Sequence, residues 1–162
     1  MTTHMILSVL LAAAPKVGDK APDFTVTDTE GKTYALKTLL AEGPVVLAFF
    51  PKAQTSGCTR ELTGYTAQYQ ELRKYKATLI AVSMDDLAVQ REFKAILSAP
   101  FPMIPDHEGK VVEAYDVKMP MVPVAKRRTF VIDRLGTIVH IDEGGDAIEP
   151  KGAITALHDL SS

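Results

Sequence analysis

Two stretches of the chain, over 44–50 (Pro-Val-Val-Leu-Ala-Phe-Phe) and 77–83 (Ala-Thr-Leu-Ile-Ala-Val-Ser), are almost continuously apolar and rich in β-branched residues. Such runs read as strands covered on both faces. Between them Cys58, Leu62, Tyr65, Tyr69 and Leu72 recur at steps of four, three, four and three, which is one apolar stripe of a helix. After the second strand, Leu87, Phe93 and Leu97 are apolar positions of a helix over 86–97, with Asp85 or Asp86 available as its cap. Upstream, short strands over 24–27 and 33–36 flank a Glu30-Gly31 turn, and a helical turn covers 36–41. Downstream, Pro100 and Pro102 break the pattern. A short helix is expected over 111–115, a loop over 119–123, paired strands over 128–133 and 137–142 around Gly136, and a closing helix over 151–160. Strands alternating with helices, then a hairpin and a helix, predict an α/β fold: a mixed central sheet with helices on both faces. Periodicity does not fix the strand order.

The chemistry concentrates where the first buried strand meets its helix. Pro51 ends the strand, since it has no N–H for the ladder. Cys58, the one cysteine in 162 residues, then falls in the first helical turn. Free backbone N–H groups and the positive end of the helix dipole favour a thiolate there, and the thiolate is the nucleophile. Ser56 or Thr55 is placed to cap the helix. Gly57 lets a small ligand approach the backbone, and Thr55 puts a hydroxyl three residues before the sulfur.

These residues resemble the peroxiredoxin signature Pro-x-x-x-Thr-x-x-Cys, here Pro51, Thr55 and Cys58. The wider string Phe-Pro-Lys-x-x-Thr-x-Gly-Cys-Thr-x-Glu is similar to the bacterioferritin-comigratory-protein, or Q-type, branch. The resemblance runs from about Val17 to the last helix. It implies a thioredoxin-like fold and a thiol-dependent peroxidase. In two places the chain departs from the branch: Ser56 stands where proline is usual, and Thr63 stands where many members carry a resolving cysteine.

Ionisation of Cys58 does not by itself make a fast peroxidase. A fall in thiol pKa from about 8.5 to about 6 raises the thiolate fraction at neutral pH roughly thirtyfold. A Brønsted slope of about 0.4–0.5 takes back about tenfold or slightly more. A fixed donor that polarises the peroxide oxygens is therefore needed. Arg127, which enters the strand Arg128-Thr129-Phe130-Val131-Ile132, matches the Arg-x-Thr/Ser-Phe pattern of peroxiredoxins. Strand alternation sets Arg127 and Arg128 on opposite faces, which separates their roles. By resemblance, Thr55 hydrogen-bonds the thiolate or the peroxide, the Gly57 and Cys58 N–H groups bind peroxide oxygen, and Pro51 shields the sulfur. Glu61 either orients the arginine or simply favours the helix dipole as a first-turn acid.

Composition narrows the remaining choices. Hydrophobic residues make up 46% and charged residues 23%, with a formal net charge of -2. That is an ordinary globular balance, and no basic run argues for nucleic acid or an anionic membrane. The four histidines share no metal-ligand spacing, and neither the residues nor the resemblance calls for a cofactor or a metal. With one cysteine, no internal disulfide resolves a sulfenic acid. The expected reductant is an external thiol: thioredoxin, glutaredoxin or a low-molecular-weight thiol. Competing readings are a redox sensor or adaptor without turnover, and a cysteine hydrolase, which lacks a recognisable histidine motif. The assembly is expected to be a monomer or homodimer. Residues 15–162 form the expected domain. Residues 1–14 hold a short apolar run, readable as an export signal, an ordered N-terminal element or a segment foreign to the domain.

Overall fold

The structure, a computed structural model, describes residues 14–162. The expected N-terminal signal or extension thus lies outside the described residues but for Ala14. The chain begins with a hairpin of β1 (Thr25–Thr27) and β2 (Thr33–Ala35), with Thr25 opposite Ala35. There follow α1 (Leu36–Glu42), β3 (Val45–Phe49), α2 (Ser56–Arg73), β4 (Thr78–Ser83) and α3 (Leu87–Leu97). Then come β5 (Met103–Pro105), α4 (Lys110–Ala114), β6 (Arg128–Ile132), β7 (Ile138–Glu143), a 3-10 turn over Gly144–Ile148 and α5 (Lys151–Leu160).

The central sheet has the order β5-β4-β3-β6-β7. β3, β4 and β5 run parallel, β6 is antiparallel to β3, and β7 is antiparallel to β6. β3 and β4 are buried along their whole length because helices cover both faces. One face packs Val45, Leu47, Phe49, Phe130 and Ile132 against α1, α4 and the hairpin. Phe49, Tyr115 and Phe130 meet there, with ring centroids 5.1–5.9 Å apart. The other face packs Val46, Ala48, Leu79 and Val131 against Cys58, Leu62, Tyr65 and Leu72 of α2, Phe93 of α3 and Leu157 of α5.

Two features depart from the sequence reading. Where the prolines suggested only a break, β5 forms a three-residue edge strand, with Ala81 opposite Met103. Pro100 and Pro102 lie before the strand, and Pro105, its last residue, is tolerated because one side of an edge strand needs no ladder bond. On α3, Leu87 is 44% exposed, and Gln90 takes a fully buried position beside Phe93. Gln90 is accommodated because its Nε2 donates to Ser83 Oγ at 3.0 Å and to the Ile104 carbonyl at 2.7 Å.

Candidate active site

β3 ends at Phe49, and a short loop delivers the chain to α2, whose third residue is Cys58. The first helical bond runs from Thr59 N to the Thr55 carbonyl, 2.9 Å. The N–H groups of Ser56, Gly57 and Cys58 therefore have no partner within the helix. Cys58 is fully buried. Its neighbour one turn on, Glu61, is also fully buried and shares its face of the helix. Arg127, just before β6, reaches both. Its Nη2 lies 3.4 Å from Cys58 Sγ, and its Nη1 donates to Glu61 Oε2 at 2.5 Å.

Gly57 makes this approach possible. A Cβ added there would stand 2.8 Å from Arg127 Nη2. The space the sequence left open at Gly57 is thus occupied by the guanidinium. Arg128 takes the other face and pairs across the strands with Glu143 at 3.1 Å.

The AhpC/TSA family matches residues 17–141. A Mycobacterium tuberculosis protein that carries a peroxiredoxin name is 36% identical over 122 residues, covering 73% of this chain and 79% of the relative. The crystal structure of peroxidoxin BcpB from Mycobacterium tuberculosis superposes with a TM-score of 0.85 at 29% identity, covering 91% of this chain and 99% of that one. Peroxiredoxin Q from Xanthomonas campestris gives a TM-score of 0.79 at 25% identity, over 93% and 99% of the two chains. The chain is a peroxiredoxin of the AhpC/TSA family. Its sheet and flanking helices are the thioredoxin fold, and its activity is that of a thiol-dependent peroxidase.

Within this peroxiredoxin, the electrostatics centre on the Arg127–Glu61 pair. Burial pushes the Glu61 carboxyl up to about 7, against the lowering pull of Arg127. Burial also works against the arginine's charge, but Glu61 and then Cys58 more than offset it and leave its pKa above the ordinary value. A guanidinium suits this position because it keeps its charge and offers separate N–H groups to the acid and the sulfur.

Thr55 and Pro51 sit differently. Thr55 occupies the position before the helix in extended backbone, yet its side chain makes no cap bond. Its Oγ1 instead donates to the Lys52 carbonyl at 2.7 Å. Neither residue expected to cap the helix does so: Thr55 is turned into the loop and Ser56 is already helical. Pro51 is half-buried and borders a hollow of about 390 Å³ that Arg127 and Met119 also line.

Asp85, read from the sequence only as an alternative cap for α3, has a different role. Asp86 caps α3, accepting from Val89 N at 2.9 Å. Asp85 is left free to hold the loop before Cys58: its Oδ2 accepts from Ala53 N at 2.8 Å and from Ser83 Oγ at 2.7 Å. The signal was the doubled Asp85-Asp86 itself, since one helix end needs one capping acid.

Proposed function

We propose that Cys58 is the peroxidatic thiol and that this peroxidase runs a one-cysteine cycle. The observation carrying the reading is the 3.4 Å approach of Arg127 Nη2 to the sulfur of the only cysteine, at a helix start. The Cys58 thiolate attacks the nearer oxygen of a hydroperoxide. An S–O bond forms, the O–O bond breaks, and the departing oxygen takes a proton to leave as alcohol or water. Cysteine is oxidised to sulfenic acid and the peroxide is reduced.

Arg127 stabilises the charge passing from sulfur to the departing oxygen, with the Gly57 and Cys58 N–H groups as further donors. Glu61 fixes the guanidinium. The Thr55 hydroxyl already donates to Lys52, so it retains lone pairs to accept the peroxide O–H. Pro51 walls the sulfur from water. An external thiol, whether thioredoxin, glutaredoxin or a small thiol, then attacks the sulfenic sulfur with loss of water. A second equivalent releases Cys58 by thiol–disulfide exchange.

Stopped-flow mixing with hydrogen peroxide and with an organic hydroperoxide, followed by mass spectrometry, tests this. The expected result is a single sulfenic acid on Cys58, turnover restored by an external thiol, and no turnover in Cys58→Ser. Oxidation without turnover by any of the three reductants would reject the cycle.

A further inference from the structure

Among the described residues, four buried polar atoms in one region of the core have no hydrogen-bond partner: Glu61 Oε1, Tyr65 Oη, Thr129 Oγ1 and Asp142 Oδ2. Buried polar groups are normally paired, so a group of four demands a reason. Their order in the fold supplies one. Tyr65 follows Glu61 by one turn of α2, on the same face and equally buried. Burial raises the Tyr65 pKa; the Glu61 carboxylate, more than Asp142, raises it further, and the Thr129 hydroxyl lowers it. Thr129 shares with Val131 the face of β6 that packs against α2, so the phenol and Thr129 lie on the same side of the sheet. Thr129 on β6 stands directly opposite Asp142 on β7. Asp142 Oδ1 in turn meets His140 Nε2 at 2.9 Å, and the His140 side chain is one-third exposed. His140 borders a hollow of about 580 Å³ between β7, the 3-10 turn and α5. The Arg127–Glu61 pair thus sits at the sulfur, the His140–Asp142 hydrogen bond sits near the surface, and the unpaired atoms lie between them.

We propose that Tyr65, Thr129 and Asp142 form a buried relay that couples the protonation of His140 to Glu61 and, through it, to the Arg127 guanidinium at Cys58. The relay rests on the proposed role of Arg127. Tyr65 has one proton for two carboxylates. When His140 is charged it compensates Asp142, and the Tyr65 hydroxyl, unpaired in the structure, turns to donate to Glu61, favouring the ionised form that pairs with Arg127. When His140 is neutral, Asp142 competes for the same donors through Thr129. Asp146 and Glu149 after β7, and Lys151 and Asp159 of α5, also face His140 across the hollow. Glu149 is already paired with Arg60 of α2. Tyr65, Thr129 and Asp142 are positioning residues: they act on the sulfur only through Glu61 and Arg127.

The test has two arms. First, the rate of Cys58 oxidation by hydrogen peroxide is followed from about pH 5 to 9. The midpoint of the profile is expected to move by about 0.3 to 1 pH unit in His140→Gln and in Tyr65→Phe, and no further when they are combined. A Tyr65→Phe profile superimposable on the wild type overturns the relay. Should Tyr65→Phe fail to fold, Thr129→Val takes its place. Second, the titration of His140 is read by NMR, which needs no peroxidase activity. Glu61→Gln is expected to lower its midpoint by a similar amount, because coupling is reciprocal. In a Tyr65→Phe background that shift is expected to shrink. An equal shift in both backgrounds means the charges act through space alone and removes the relay. Absence of any reaction at Cys58 rejects the proposed function instead, while the NMR arm still decides the coupling.

Discussion

Arg127 and Arg128 are neighbours in the chain and strangers in the fold. One guanidinium touches the sulfur and a fully buried acid, and the other pairs with Glu143 near the sheet edge. Deleting a donor aimed at developing charge costs about a hundredfold to a thousandfold in rate. A partly exposed ion pair is worth about 1 kcal/mol or less. Arg127→Ala is therefore expected to slow peroxide oxidation of Cys58 about a hundredfold or more, and Arg128→Ala less than about tenfold. Stopped-flow rates for both variants decide it, and equal losses would reject Arg127 as the functional arginine. The opposition of the two arginines follows from strand alternation and was legible in the sequence. The purpose of Gly57 was not, since the guanidinium it admits arrives from 70 residues downstream in the chain.

At the scale of elements, the loop before α2 and the first turns of α2 decide what Cys58 can do. The bond from Ala53 N to Asp85 ties the middle of the loop to the end of β4. Asp85→Ala leaves that N–H without its acceptor and loosens the approach to Cys58. The expected outcome is a fall of about tenfold in the oxidation rate with a loss of about 1–2 kcal/mol in stability, read by stopped flow and urea unfolding. An unchanged rate would show that the tether serves folding only. A second expectation concerns Thr63, exposed on α2 five residues past the buried Cys58. Five residues of helix put their Cα atoms about 8.7 Å apart and roughly 140° around the axis. Two cysteines more than about 7 Å apart cannot be bridged without backbone movement. Peroxide treatment of Thr63→Cys is thus expected to give a disulfide between Cys58 and the introduced thiol only as α2 unwinds, with helical circular dichroism falling in step. Disulfide formation at constant helicity would contradict this.

For the molecule as a whole, the buried acid Glu61 ties stability to pH. Its carboxyl is raised from the ordinary 4.5 to about 7, chiefly by burial. Between those values the folded state holds a proton that the unfolded chain has lost, so its contribution to stability is greatest at acid pH and declines as pH rises through 7. The effect is at most about 3 kcal/mol, or several degrees in Tm for a domain of this size. Melting curves of wild type and Glu61→Gln are expected to diverge steadily from about pH 4.5 to 8, with the variant gaining relative to the wild type; parallel curves would show that Glu61 is not so perturbed.

What the sequence determined by itself was local. Continuous apolar runs identified β3 and β4, the four-three spacing identified α2, and the loop between them put a single cysteine at a helix start, because each of those signals is carried by residues close together in the chain. Partnership over long separations was decided only in the folded molecule. The sheet order, the pairing of the edge strand β5 with β4, the grip of Asp85 on Ala53 and the meeting of Arg127 with Glu61 all bring together residues far apart in sequence. Hydrophobic periodicity says which face of an element is buried. Only packing says what lies against that face, and the chemistry proposed at Cys58 depends on what lies against it.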